Sequence, residues 1–174
     1  TLFEARSRIG GHTHTVEVQE NDRSLWVDTG FIIYNHRTYP LFSALLCELG
    51  VQGQKTNMGF SVKDQITGLE YSGENLSALF AQKKNLWNPR FYRMLAEILR
   101  FHKRAPGLLN DDQGKITLGD YLKAEKYSDY FINKFILPMG SAIWSTPCNE
   151  MLQFPAQFFV RFFAQHGLLS VFDQ

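Results

Sequence analysis

Apolar and polar residues alternate over much of the first third of the chain, as they do in half-buried strands. Residues 13–19 and 24–28 follow this pattern and are joined by the polar turn 20–23, which predicts a β-hairpin. A second hairpin is predicted near 58–72, with the turn-prone residues 64–67 between its strands. Residues 1–4 are interpreted as a further strand that runs into a turn containing Gly10 and Gly11.

Helical spacing begins after residue 38. Thr38 and Pro40 predict a helix start and Gly50 its end, and the leucines between them recur at the spacing of a packing helix. After a short helix near 76–80, Asn88 and the proline after it predict a longer helix through about residue 103. Its predicted apolar stripe is Phe91, Leu95, Ile98 and Leu99, with Arg90, Arg93, Glu97 and Arg100 mostly on the opposite side.

The last third is predicted to be helical throughout. Thr117 and Asp120 are spaced as in a capping box, and a helix over 130–137 is predicted to break at Pro138. Small and apolar residues over 137–147 fit either a close helix contact or a wall beside a substrate. The stripe Phe159, Phe162, Phe163 and His166 is typical of a core, and the alternative is the lining of an apolar substrate site with His166 at its mouth. The pattern as a whole predicts an α+β fold.

Composition narrows the possible partners. The chain has 174 residues, 44% of them hydrophobic, and its formal charge of +1 gives no electrostatic footprint for nucleic acid. The basic clusters at 83–84 and 100–104 are most simply solvated helix faces. No apolar run approaches the length of about 20 residues that a membrane-spanning helix needs.

Cys47 and Cys148 are far apart, so we expect two buried thiols and a reducing, cytoplasmic location. His12 and His14 share a strand face but lack a third ligand, so no metal site is predicted.

Glu4 and the glycine pair suit a nucleotide. An acid at the end of a strand can accept hydrogen bonds from both ribose hydroxyls, and glycines let a backbone pass close to a pyrophosphate. The bland alternative is an ordinary turn after an edge strand.

Residues 4–12, Glu-Ala-Arg-Ser-Arg-Ile-Gly-Gly-His, resemble the second half of the FAD-binding signature of the flavin-containing amine oxidase superfamily, which includes phytoene-desaturase-like proteins. Residues 26–34 resemble the segment in which this family brings its backbone up to the flavin ring. His12 stands where many members carry arginine. The resemblance implies a set of cofactor-binding residues: Glu4, Arg6, Gly10, Gly11, His12, Asp28, Gly30 and Phe31. It points to no catalytic residue.

The resemblance also implies a domain organisation. Residues 1–36 would be part of an FAD-binding domain of Rossmann type, and 37–174 part of a mainly helical substrate-binding domain. The family's first strand and its Gly-x-Gly-x-x-Gly turn are expected roughly 30 residues upstream. We therefore interpret the chain as a fragment at both ends. FAD would be bound by the full-length parent and would be absent from the fragment alone.

The implied activity is that of an FAD-dependent oxidoreductase. Such a protein would oxidise a C–N or C–C bond of an apolar or partly apolar substrate, or an amine, by hydride transfer to flavin. The alternative is a non-enzymatic helical module that binds other proteins through its aromatic stripes. A fragment would also self-associate through the surfaces where its missing parts dock.

Overall fold

The structure is a computed structural model that describes residues 3–30, 33–56, 59–110 and 116–168. The chain divides into two compact units, Thr1–Gln54 and Lys55–Gln174. Each unit contains one two-stranded antiparallel sheet, and most of the remaining regular structure is helical. The predicted α+β class is therefore confirmed. The functional division at residue 36 stays a prediction.

The first unit contains the hairpin β1 (Thr15–Glu20) and β2 (Arg23–Asp28). The strands pair in register from Thr15 opposite Asp28 to Glu20 opposite Arg23. The two turn residues, Asn21 and Asp22, have φ of 46° and 60°. Positive φ at both central positions is the type I′ geometry that matches the twist of a two-residue hairpin, and Asn and Asp tolerate it well. This hairpin is confirmed.

The strand predicted over residues 1–4 is only partly within the described residues. Phe3 and Glu4 are described and do not belong to a strand, and the chain bends from residue 5 to residue 10. A strand needs a neighbour for its N–H and C=O groups. Within the described ranges, β1 and β2 pair only with each other, so Phe3 and Glu4 have no strand to join.

Helix α1 (Pro40–Glu48) follows in the same unit. At its end, the Val51 N–H donates to the Leu46 carbonyl at 2.8 Å and Gly50 N–H to Cys47 at 3.1 Å, with Gly50 at φ 67°. These bonds form a Schellman motif, which explains why the helix ends at this glycine. The N-cap position is Tyr39, not Thr38.

The expectation that α1 is a packing helix is wrong for the structure described. None of its nine residues is buried, and Leu41 is 86% exposed. Cys47 is therefore exposed too, contrary to the expectation of a buried thiol. The helical spacing of its leucines is real, but no element of its own unit covers them fully.

The second unit opens with the hairpin β3 (Ser61–Asp64) and β4 (Leu69–Ser72). Val62, Leu69 and Tyr71 face the core and are buried. The turn is held by Asp64, whose Oδ1 accepts a hydrogen bond from Ile66 N–H at 3.1 Å and whose carbonyl accepts one from Gly68 N–H at 2.8 Å. This hairpin was predicted near 58–72, and residues 57–58 lie outside the described residues.

Helix α2 (Leu76–Leu79), a 3₁₀ helix (Lys83–Trp87) and α3 (Pro89–Arg104) come next. Asn88 caps α3 as predicted, because its side chain accepts a hydrogen bond from Arg90 N–H at 3.0 Å. A further 3₁₀ helix, Ala105–Asn110, follows.

The predicted stripe of α3 is only partly correct. The buried residues are Phe91, Met94, Glu97 and Phe101, whereas Leu99 is 58% exposed. Glu97 is tolerated because it accepts hydrogen bonds from Ser128 N–H at 3.2 Å and from the Ser128 hydroxyl, and lies 3.4 Å from Arg93 Nε. A buried carboxylate with such partners can replace an apolar residue on an inner face.

Helix α4 (Leu118–Ala124) begins at the predicted cap. Thr117 Oγ1 accepts a hydrogen bond from Asp120 N–H at 3.1 Å and donates one to its carboxylate at 2.7 Å. Helix α5 (Asp129–Phe131) then passes through a π-helical segment (Ile132–Ile136) into α6 (Leu137–Trp144).

Pro138 does not break this helix, contrary to the prediction. Proline removes the N–H that would reach the carbonyl of residue 134 and clashes with that carbonyl in a regular α-helix. The π segment widens the turn just before the proline, with Leu137 N–H bonded to the carbonyl of Ile132. The Tyr71 hydroxyl donates to the Lys134 carbonyl at 2.6 Å and so satisfies it. Burial raises the pKa of the Tyr71 phenol, which keeps it a donor.

Helices α7 (Cys148–Met151) and α8 (Ala156–Gln165) complete the unit. Gly140 of α6 is buried, and a Cβ there would lie 2.8 Å from Met151 Sδ and 3.1 Å from Phe159 Cε2. The small residues of 137–147 thus include one at a close helix contact. Cys148 is exposed, so the expectation of a buried thiol is wrong there as well. The largest fully buried aromatic residues of the core are Phe91, Phe101, Phe131, Phe159 and Phe163.

No helix within the described ranges combines the length and the apolarity needed to cross a bilayer.

Candidate functional site

The glycine pair forms a tight turn in the first unit. Gly10 has φ 109° and Gly11 has φ 58°, both in the region that favours glycine. Thr13 N–H donates to the Gly10 carbonyl at 3.0 Å and closes the turn. A Cβ at Gly10 would lie 2.7 Å from the Thr13 oxygen, whereas one at Gly11 would meet nothing within 4 Å. Gly10 is therefore required by the fold of the turn itself, and Gly11 leaves open space beside the backbone.

Arg8 holds this turn from within and was missed by the sequence analysis. Its guanidinium donates to the Thr13 carbonyl at 2.9 Å and to the Gly11 carbonyl at 2.7 Å. The rigid fork of an arginine suits two carbonyls at once. The signal was in the sequence, because Arg8 is the second arginine of the Glu-Ala-Arg-Ser-Arg segment. Only the first, Arg6, was included among the predicted cofactor-binding residues.

Glu4 lies exposed before this turn. Its Oε1 accepts a hydrogen bond from Arg6 N–H at 2.9 Å, which fixes the orientation of the carboxylate. Among the described residues nothing donates to Oε2, and no hydrogen bond joins Glu4 to the glycine turn. The Arg6 side chain is also exposed.

The open end of the β1–β2 hairpin lies against the residues that follow the glycine turn. The Thr15 hydroxyl donates to Asp28 Oδ1 at 2.6 Å, and Thr29 donates to the His14 carbonyl through its N–H at 2.7 Å and its hydroxyl at 2.8 Å. A Cβ at Gly30 would lie 2.0 Å from the His12 oxygen. Asp28 thus holds the local structure, and the glycine at 30 is needed because the chain's own backbone passes there.

The structure therefore brings together five of the predicted residues. The glycine turn, His12 and the end of β2 form one region of the first unit, whose members are Gly10, Gly11, His12, Asp28 and Gly30. Glu4 and Arg6 lie in the chain just before it. Phe31 lies outside the described residues.

These residues fit the adenosine half of FAD. A carboxylate with one unengaged oxygen suits ribose hydroxyls, and the open side of Gly11 suits a group that must approach the backbone closely. The positive charge of Arg8, half-buried below the turn, suits a pyrophosphate. Gly30 gives no evidence for a cofactor, because the close approach of the His12 backbone already explains why a glycine is needed there.

The second unit offers a shallow groove of about 500 Å³ over the outward face of the β3–β4 hairpin. Its lining includes Ser61, Ser72, Gln82 and the ion pair of Lys63 and Glu70, whose atoms are 2.9 Å apart. The pair raises the pKa of the lysine and lowers that of the glutamate through a direct hydrogen bond. Apolar side chains, Val62, Ala78 and Ala81, line the groove as well, so its lining does not by itself select a polar group.

The aromatic stripe of α8 is divided between two environments. Phe159 and Phe163 are fully buried in the core. Phe162 is half-buried, with its ring centroid 4.8 Å from that of Trp144 and 3.8 Å from that of His166. Phe159 and Phe163 therefore cannot line a site that is open to solvent. Within this stripe, Phe162 and His166 remain available for that role.

No group of three or more metal-ligating side chains occurs in the part of the chain that the structure describes. A comparison with curated proteins gives no significant match. The family model described as flavin containing amine oxidoreductase matches residues 1–169, nearly the whole chain. This match agrees with the resemblance carried by residues 4–12. The chain belongs to the flavin-containing amine oxidoreductase family.

Proposed function

We propose that the first unit binds the adenosine side of FAD in an oxidoreductase that acts on a C–N or C–C bond of an apolar or partly apolar substrate. Flavin, when bound, supplies the two-electron redox chemistry. The chain's own residues bind and orient the cofactor. The family supports the class of enzyme and the flavin, and the apolar substrate is inferred from the aromatic-rich helical unit.

The observation that carries the proposal is the turn at Gly10 and Gly11. The Arg8 guanidinium donates hydrogen bonds to the carbonyl oxygens of Gly11 and Thr13. Their negative dipole ends are thereby neutralised beside the open side of Gly11. A turn built in this way accepts an anionic group, which an ordinary exposed turn would repel.

Glu4 adds the second contact. Its Oε1 is held by Arg6 N–H, so the carboxylate is oriented before any ligand arrives. Its Oε2 is proposed to accept hydrogen bonds from the ribose hydroxyls. Arg6 and His12 are proposed to face the phosphates, and Asp28 and Gly30 to shape the hairpin end beside them. The non-enzymatic alternative gains no support from the family match.

The test measures FAD binding by the protein. Glu4→Gln should weaken FAD binding by roughly 10- to 100-fold, since hydrogen bonds to a charged group contribute about 1.5–3 kcal/mol. Arg8→Lys should weaken it too, because an ammonium cannot hold both carbonyls as a guanidinium does. The readouts are the flavin absorbance of the purified protein and the dissociation constant from flavin fluorescence.

Matched controls lie in the same unit. Glu20→Gln and Arg23→Lys make the same chemical changes at exposed hairpin positions and should leave FAD binding unchanged. A protein that never carries flavin, even after refolding with excess FAD, would end the proposal. Equal losses in the controls and the test variants would show that the effect comes from the stability of the unit.

A further inference from the structure

One surface of the second unit combines exposed aromatic and basic side chains, and the site described above does not use it. We call it the basic-aromatic surface. Its members are Lys83, Lys84, Leu86, Trp87, Arg90, Tyr92 and Arg93. Trp87 is 89% exposed, which is unusual for the largest side chain in proteins.

The 3₁₀ helix at 83–87 explains how these residues are presented. A 3₁₀ helix has three residues per turn, so residues three apart lie above one another. The column of Asn85 faces inward, since this side chain is fully buried and its Nδ2 donates to the Glu70 carbonyl at 2.9 Å. The two remaining columns face solvent. Each carries a lysine followed by an apolar residue: Lys83 with Leu86, and Lys84 with Trp87.

The first turns of α3 continue the surface. Phe91 and Met94 are fully buried, whereas Arg90, Tyr92 and Arg93 are exposed. Arg90 and Arg93 lie one turn apart on the exposed side. Tyr92 is 46% exposed, and its ring centroid lies 5.9 Å from that of Phe80, which supports it from below.

The net charge of this surface is strongly positive. Residues 75–96 contain four basic side chains and no acidic one, although the whole chain is nearly neutral. Two carboxylates that interact with its cations also have other partners. Glu70 pairs with Lys63 at 2.9 Å, and Glu97 is buried beneath Arg93 and bonded to Ser128. Lys84 donates to the Gly68 carbonyl at 3.0 Å.

We propose that the basic-aromatic surface docks on an anionic lipid surface. Tryptophan and tyrosine prefer the membrane–water interface, and lysine and arginine reach the headgroups while their stems stay among apolar groups. Nucleic acid would use the charges but has no apolar surface to cover Leu86, and a protein partner with a neutral apolar face would offer no anion to Lys83 and Arg90. A charged lipid surface satisfies both halves of the pattern.

The test uses the whole 174-residue chain and vesicles. We expect it to co-sediment with vesicles that contain phosphatidylglycerol and to bind much more weakly to phosphatidylcholine alone. Added salt should release it, because the charges are exposed. Trp87 should shift its emission to the blue on binding and be quenched by bromine-labelled acyl chains. The chain has two other tryptophans. The emission spectrum of Trp87→Phe therefore shows how much of the wild-type emission comes from Trp87.

The charge variant is Lys83→Gln with Arg90→Gln. Each basic residue near an anionic surface is expected to change the partition coefficient about fivefold, so the pair should lower it about 30-fold. The matched control is Lys123→Gln with Arg161→Gln, which removes the same charge from exposed positions of α4 and α8. Trp87→Ser should also weaken binding, and Leu41→Ser, at an exposed leucine of the first unit, should not. Circular dichroism checks that each variant is folded.

Three results would overturn the proposal. The first is that the wild-type chain does not co-sediment with phosphatidylglycerol vesicles. The second is equal loss of binding in the two double variants, which would show that net charge alone is responsible. The third is Trp87 emission that is unchanged by vesicles but shifts with protein concentration or with added nucleic acid, which would assign the surface to a second copy of the chain or to a polynucleotide.

Discussion

Asp64 joins the tip of the β3–β4 hairpin to the π-helical segment that precedes α6. Its Oδ2 accepts hydrogen bonds from the Thr67 hydroxyl and from Lys134 Nζ, the latter at 2.5 Å. The bond from Lys134, and then that from Thr67, hold the pKa of the Asp64 carboxyl well below its usual range. The charged form is thus favoured in the folded protein, and protonation must weaken the fold.

The sign of the pH dependence follows from that depressed pKa. Asp64 stabilises the fold fully above the ordinary carboxyl pKa of about 4, and this stabilisation is lost as the pH falls toward the lower folded value. Asp64→Asn should therefore be less stable than wild type near neutral pH, and the difference should shrink below about pH 4. Urea unfolding at a series of pH values measures it.

Asp22→Asn is the control for this series, because Asp22 is exposed in a hairpin turn. It should change the free energy of unfolding little at any pH. A difference for Asp64→Asn that stayed constant into strong acid would contradict the assignment.

Helix ends and turns were predictable at the scale of elements because their signals are local. Asn88 and Thr117 accept bonds from backbone groups two and three residues ahead, and Asn21 adopts the turn geometry its type favours. Helix faces were less predictable. Glu97 is buried because of Ser128, 31 residues away, and no local pattern contains that partner. The same holds for Pro138, which the helix tolerates with the help of Tyr71.

The contact between α6, α7 and α8 gives a prediction at this scale. Gly140→Ala should destabilise the second unit by about 1–3 kcal/mol, because its methyl group would lie 2.8 Å from Met151 Sδ and this methionine is fully buried. Gly107→Ala is the matched control, since a Cβ there meets nothing within 4 Å. Urea unfolding followed by tryptophan emission measures both. Equal effects would mean that the contact at Gly140 is not tight.

At the scale of the molecule, the two units differ in how they are stabilised. Among residues 3–30 and 33–54 no side chain is fully buried, whereas the second unit has a large aromatic core. A two-stranded hairpin is marginal in water without such support. This contrast was not predictable from sequence, because the valines of β1 and β2 alternate as in any half-buried sheet.

Hydrogen exchange should reveal this difference. Amides of β1 and β2 should exchange at least roughly a hundredfold faster than those in the middle of α3, because they open locally without unfolding a core. FAD binding to the first unit should slow exchange in the hairpin more than in α3, because a ligand stabilises the state that binds it. Equal protection of both units before any ligand is added would contradict this view of the first unit.

The wide turn before Pro138 also determines which side chains of α6 face the neighbouring helices. One additional residue in a helix rotates everything after it by about 100°. The extra residue of the π segment therefore sets the direction of α6 relative to Phe131 before it, so that Gly140 faces Met151 and Phe159. Deleting one residue within 132–136 would remove the wide turn that accommodates Pro138, and it would turn Gly140 away and bring bulkier side chains against α7 and α8.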